Sequence, residues 1–287
     1  MKKLVSIGCS FTHWHFPTVS DWMGYCFDEY INLGKEGAGN RYIFNTLFDY
    51  IQDNDTTDTF FYIQWTGIPR RDWMGLGNNH WNCFGTFNPD DGIDDNTQLN
   101  LLQFSTEFRN YLYTTKNFLD LKGISYVMNH MLDTWVDGSL GEPGIGTVPN
   151  KIYNKGIELI EKSNHLEDIK KLSETNFIKP CLEFFSIDNY NKEMGHLALG
   201  QNDIPESDYH MHPTLCLKYV RESIYPLLKD KLPLDSIFDK KLDKLADKWE
   251  IKLKDSKWIK SHRELHNRND RKSFNPPLPF YVKNLDI

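Results

Sequence analysis

The chain opens on a short apolar run, residues 3–8, that ends in glycine and reads as a central strand buried on both faces. A second strand is expected at residues 29–33. Ile43, Leu47, Phe48 and Ile51 then recur at helical spacing and predict a helix over residues 41–52. Residues 59–66, Thr-Phe-Phe-Tyr-Ile-Gln-Trp-Thr, are aromatic and β-branched and predict a third strand. Residues 98–122 predict a long helix with Leu102, Phe108, Leu112 and Leu119 facing inward; Gly123 stops it, and Ile124 to Asn129 follows as a fourth strand. Further helices are expected at 19–28 with Ser20 as N-cap, at 151–175, and at 214–228 behind Pro213.

Strand and helix in alternation predict an α/β sandwich with a mainly parallel sheet. Ligands of such sheets bind beyond the carboxyl ends of the strands. Ser10, the loop Gly34–Asn40 and the stretch Thr66–Arg71 each follow a predicted strand, so they are expected to gather on one edge. Residues 67–97 are rich in Gly, Asn, Asp and Trp and read as a long functional loop. Within it, Trp73, Trp81, Phe84 and Phe87 fit either core packing or the wall of a sugar- or acyl-binding cleft.

Beyond about Lys229 the pattern changes. Lysine and aspartate dominate up to Lys272, with Leu242, Leu245, Trp249 and Leu253 at helical spacing, and Phe274-Asn-Pro-Pro-Leu-Pro-Phe-Tyr follows as an extended stretch. The expected organisation is therefore an α/β domain over 1–228 and a charged helical extension with a Pro-rich tail over 229–287, which packs back on the domain, mediates an oligomer, or is simply a solvated helix and tail.

Composition narrows the function classes. With 287 residues, 39 % of them hydrophobic, the chain supports a substantial core, and a net charge of −7 argues against nucleic acid as partner. The cysteines Cys9, Cys26, Cys83, Cys181 and Cys216 are odd in number and lack CxxC spacing, which disfavours a disulfide framework or structural zinc and fits a reducing compartment. The apolar run after Lys2-Lys3 is too short for a signal peptide, and no stretch is long enough to span a bilayer; a soluble, cytoplasmic protein with no membrane partner is expected. The Asn-, Asp-, Lys- and Tyr-rich composition fits an AT-rich phage genome, hence host cytoplasm.

Gly8-Cys9-Ser10-Phe11-Thr12 directly follows the first strand. A serine on a tight turn there holds its hydroxyl above the sheet edge, beside backbone N–H groups able to stabilise an oxyanion. A serine that merely caps a helix fits the same spacing. His212-Pro213, at the entrance of a late helix, supplies an imidazole with the right ordinary pKa for a general base. His13, His15, His210 and His212 form a conceivable zinc or nickel set, but His13 fits substrate contact or a surface loop equally well, and neither metal nor cofactor is expected. Arg70-Arg71 is suited to binding a substrate carboxylate or phosphate, or to surface ion pairs. The Gly34–Asn40 loop lacks the patterns of a nucleotide site.

Gly8-Cys9-Ser10-Phe11 resembles the first block of the SGNH/GDSL hydrolases, which carries the nucleophile. Asn32-Leu-Gly-Lys-Glu-Gly37-Ala-Gly-Asn40 is similar to their second block, whose glycine donates its N–H to the oxyanion hole, and Asp208-Tyr-His-Met-His212-Pro-Thr is similar to their last. The resemblance spans roughly residues 1–228 and implies a three-layer α/β/α sandwich of flavodoxin-like strand order 2-1-3-4-5. It implies Ser10 as nucleophile, His212 as base, Asp208 behind it, and Gly37 as oxyanion donor. It departs from the family in three places. Cys9 replaces an aspartate; the third block's asparagine is missing, leaving Thr66 or Gln64 to donate; and Tyr209 stands where the acid belongs, so a backbone carbonyl is the alternative to Asp208. Asn40, Arg70 and His13 are the expected substrate contacts. The implied activity is hydrolysis of small acyl esters such as O-acetylated sugars. O-acyl transfer by the same residues, or a non-catalytic binding or assembly module of viral origin, remain the alternatives.

Overall fold

The computed structural model describes residues 3–13, 17–67, 70–74, 81–86, 101–130, 168, 171, 213–228 and 236–253. Four strands form a parallel sheet: β1 (Lys3–Ile7), β2 (Glu29–Asn32), β3 (Thr59–Trp65) and β6 (Ser125–His130), in the order β2-β1-β3-β6. That order reproduces the first four positions of the expected flavodoxin-like arrangement.

Alternation along the strands makes two cores. Leu4, Phe60, Tyr62 and Val127 face one side, packed with α1 (Val19–Gly24) and α4 (Pro213–Tyr219). Val5, Ile7, Phe61, Ile63, Trp65, Tyr126 and Met128 face the other, packed with α2 (Asn40–Asp53) and α3 (Leu101–Lys122). A sheet whose two faces are both apolar must be covered by helices on both sides, and this one is: the fold is a three-layer α/β/α sandwich. Phe108, Leu112 and Leu119 of α3 are buried as their spacing predicts, and Gly123 ends the helix with φ of 64°.

Three local expectations are corrected. Helix α1 is shorter than 19–28, and its N-cap is Thr18 rather than Ser20. The Thr18 N–H is held by the carboxylate of Asp21 at 2.8 Å, a reciprocal cap three residues on, which frees the Ser20 hydroxyl for another partner. Residues 67–97 contain an antiparallel hairpin, β4 (Arg70–Met74) with β5 (Trp81–Thr86), where a loop was expected. The helix expected at 214–228 is interrupted: α4 passes into a π-turn, Val220–Ile224, before α5 (Tyr225–Leu228). Pro226 gives the reason. It has no N–H to return to residue 222, and its ring crowds that carbonyl, so the preceding turn widens and the Tyr225 N–H reaches back five residues to the Val220 carbonyl.

From the charged C-terminal part, α6 (Ser236–Leu253) lays Leu242, Ala246 and Trp249 into the same core as α1 and α4. Arg221 reaches across to it, donating to the Asp243 carboxylate at 2.7 Å and to the Asp239 carbonyl at 3.0 Å. Of the helix expected at 151–175 only Asp168 and Lys171 are described, and both are helical; the Pro-rich tail and Cys181 lie outside the described residues. The four described cysteines form no disulfide among the described residues, and no described helix is long and apolar enough to cross a membrane.

Candidate active site

Register sets the geometry of the carboxyl edge. Ile7 of β1 pairs with Ile63 of β3, so Ser10 and Thr66 both lie three residues past one paired position. Beyond β2, the Leu33 N–H donates to the Ser6 carbonyl at 2.8 Å and the Lys35 N–H to the Gly8 carbonyl at 3.0 Å, which carries the Gly34–Asn40 loop alongside the Ser10 turn.

That turn is tightly held. The Cys9 carbonyl accepts the N–H groups of Thr12 at 2.9 Å and His13 at 3.1 Å. The Thr12 hydroxyl donates to Gln64 on β3 at 2.9 Å. The Thr12 carbonyl accepts from Ser20 at 2.7 Å and from the Asn32 amide at 2.8 Å, with the Thr18 hydroxyl at 2.8 Å shared between it and Asp21. Only glycine fits at position 8, since a Cβ there would stand 2.0 Å from the Thr12 hydroxyl oxygen. Asp21 completes this network by accepting from the Tyr30 hydroxyl at 2.9 Å; burial lifts its pKa above the ordinary carboxylate range.

Ser10 is buried at the head of this turn. Gly37 has φ of 69°, a left-handed conformation in the turn closed by the Ala38 N–H on the Lys35 carbonyl. Thr66 is wholly buried, and its hydroxyl has no hydrogen-bond partner among the described residues. Gln64, the other expected donor, spends its amide on the Thr12 and Tyr62 hydroxyls.

The three expected substrate contacts each hydrogen-bond to the scaffold. The Asn40 amide donates to the Thr66 carbonyl at 3.0 Å and accepts the Thr66 N–H at 2.9 Å, tying the start of α2 to the end of β3. Arg70 directs its guanidinium to the Ala38 carbonyl at 3.4 Å. The His13 Nδ1 donates to the Gly34 carbonyl at 3.1 Å, leaving Nε2 as the remaining ring nitrogen. Each is a polar side chain next to a loop whose buried carbonyls or N–H groups need partners, and that demand is met first.

His212 and Asp208 lie outside the described residues, as do His15, His210 and Arg71's side chain. Pro213, the residue after His212, is described: it opens α4, is buried, and its carbonyl accepts the Trp22 indole N–H at 2.8 Å. Among the described residues no cluster of potential metal ligands occurs.

Two groups at the site escaped the sequence reading. Asp72 of β4 is buried and accepts the N–H groups of Gly39 at 2.7 Å and Tyr42 at 2.8 Å. His130, past the predicted end of the fourth strand, closes β6 opposite Trp65 and packs edge-on against Phe108, ring centroids 5.3 Å apart. Burial holds it neutral, with the pKa pushed down to about 3. In the unfolded chain the same imidazole takes a proton near pH 6.5. Between these values the unfolded state binds more protons, so stability falls as pH drops, by up to about 1.4 kcal/mol per unit. Asp21 and Asp72 act oppositely: burial raises their folded pKa, so their contribution falls as pH rises through that shifted range. Urea midpoints from about pH 4 to 7 should fall more steeply toward acid in wild type than in His130→Leu; parallel curves would show that His130 is solvated.

No family model matches the chain, and no curated protein matches it. A solved structure described as a "putative lipolytic protein of G-D-S-L family" from Desulfitobacterium hafniense superposes on it with 12 % identity and a TM-score of 0.35, covering 77 % of this chain and 98 % of that one. At that distance, what the site does rests on the chain's own residues and their geometry.

Proposed function

We propose that the chain is a serine hydrolase of small acyl esters, with O-acetylated sugars as the substrate class. The observation that carries this is the meeting of three features on one sheet edge. They are the clamped turn bearing Ser10, the Gly37 loop held beside it, and the buried Thr66 hydroxyl that has no partner among the described residues. A buried hydroxyl left unpaired costs free energy, and a transient oxyanion is a partner that would repay it only during reaction.

In this mechanism the Ser10 Oγ attacks the ester carbonyl carbon while His212 takes its proton. Asp208 holds the His212 ring in the productive tautomer. The N–H groups of Ser10 and Gly37 and the Thr66 hydroxyl stabilise the tetrahedral oxyanion. Collapse expels the alcohol, which leaves with the proton from His212, and water attacks the acyl-Ser10 ester with His212 again as base. Asn40 and Arg70 hold the loop rather than the substrate. Residues 1–228 carry this reaction, and residues 229–287 are an extension.

The test is labelling of the full chain with a fluorophosphonate probe, with the modified peptide identified by mass spectrometry. An adduct on Ser10 is expected. A folded wild type that forms none would favour the non-catalytic module. Acyl transfer to an added sugar in preference to water would move the reading to an O-acyltransferase.

A further inference from the structure

We infer that Asp72 is the positioning residue of the Gly37 loop, so that the β4–β5 hairpin sets the oxyanion site from outside the sheet. The inference rests on the proposed roles of Ser10 and Gly37.

Helix α2 has no cap of its own. Its N-cap is Gly39, which has no side chain, and its first turn contains no acidic residue. A helix of 14 residues therefore begins with orphaned N–H groups and an uncompensated positive end. Asp72, more than thirty positions later in the chain, supplies both remedies. Its Oδ1 accepts the Gly39 N–H and its Oδ2 the Tyr42 N–H, one carboxylate bracketing the first turn. The fit is close: a Cβ on Gly39 would stand 2.7 Å from Oδ2 and 3.0 Å from the Arg70 carbonyl.

The same hairpin grips the loop at two more points. Arg70 donates to the Ala38 carbonyl at 3.4 Å, and the Lys35 ammonium donates to the Trp81 carbonyl. Lys35, Ala38 and Gly39 flank Gly37 on both sides, so the direction of its N–H follows from where the hairpin holds them. Asp72 is itself supported by the Cys83 thiol, which donates to it from the facing strand; burial and the neighbouring carboxylate keep that thiol protonated. The arrangement places a carboxylate two residues from the proposed oxyanion donor without exposing it to substrate.

The test compares full-length wild type and Asp72→Asn, each measured well below its melting midpoint. Asparagine keeps the shape but turns an amide N–H toward one of the two backbone N–H groups. The maximal rate of fluorophosphonate labelling at Ser10 is expected to fall about 10- to 100-fold, with the probe concentration for half-saturation unchanged. Hydrogen exchange of the Gly39 and Tyr42 amides should quicken. A general loss of packing would not separate rate from affinity in this way. If Asp72→Asn does not fold, Asp72→Glu carries the same test, because it keeps the charge but pushes the carboxylate one methylene into the loop. Labelling by either folded variant at the wild-type rate overturns the inference and leaves the Ser10 reading standing. Failure of wild type itself to label overturns the Ser10 reading, and the catalytic role of Asp72 falls with it.

Discussion

Ser10→Ala is expected to abolish fluorophosphonate labelling and to lower ester turnover by about 10⁶, the scale on which loss of the nucleophile removes a triad's combined action. Thr66→Val should fall well short of that, costing about 10²–10³ in turnover, as loss of one oxyanion donor does. The two substitutions differ in what they leave behind. Alanine at 10 removes the atom that forms the covalent bond, and only binding and oxyanion stabilisation remain. Valine at 66 keeps the volume and leaves the backbone pairing with Asn40 intact, so the turn and loop stay where they are. It also removes a buried hydroxyl that has no partner among the described residues, so folding stability should hold or rise slightly. A variant that is as stable as wild type yet slower would locate the hydroxyl's role in the transition state. Steady-state kinetics on a chromogenic acetate ester, with melting curves for each variant, measure both quantities. Unchanged turnover in Thr66→Val would remove Thr66 from the oxyanion hole.

What the sequence made legible follows its periodicities. The strands of the parallel sheet are nearly continuous apolar runs, and α2 and α3 carry an inward stripe, so element order could be read before any coordinates, while strand order was implied only by the resemblance to the SGNH/GDSL hydrolases. The Ser10 turn, the Gly34–Asn40 loop and the Thr66–Arg71 stretch were legible as neighbours because each follows a strand; Gly37 and Thr66 were singled out within them only by the resemblance. The hairpin was not legible. Arg70-Arg71-Asp72-Trp73-Met74 has no period-two alternation, and it pairs with β5 rather than joining the main sheet. Asp72 was invisible for a related reason: its partners are backbone N–H groups 30 and 33 residues away, which leave no mark on sequence spacing. A sharper signal did exist in α2, where a glycine N-cap and a first turn without acid imply a cap from elsewhere in the chain. For Asn40 and Arg70 residue type reports what a side chain can bind, and the hydrogen bonds that the structure shows for them go to carbonyls and an N–H group of the loops.

Trp22→Ala should lower the melting temperature by roughly 6–20 °C, the equivalent of about 3–5 kcal/mol for emptying a large aromatic site in a domain of this size. Trp22 is wholly buried in the core that also holds Leu215, Tyr219 and Trp249, shared by α1 with α4 and α6. Loss of the ring therefore loosens three elements together, since the surrounding core relaxes only partly over such a cavity. Trp22→Phe separates packing from polarity. It keeps most of the ring but removes the indole N–H donated to the Pro213 carbonyl at 2.8 Å, and it should cost only about 1–2 kcal/mol. Pro213 is the first residue of α4 and directly follows His212, the proposed base. If the indole fixes where that helix begins, Trp22→Phe will also slow Ser10 labelling by more than its small stability change explains. A Trp22→Ala protein melting with wild type would contradict the buried site. A Trp22→Phe protein labelling at the wild-type rate would show that the base is placed by the rest of α4 alone. The outcome matters for the mechanism because the proposed nucleophile sits on a turn clamped by residues within the first 64 positions, Ser20, Asn32 and Gln64 among them, whereas the proposed base must be delivered from about two hundred residues away by a helix docked through the Trp22 and Asn129 hydrogen bonds and an apolar face.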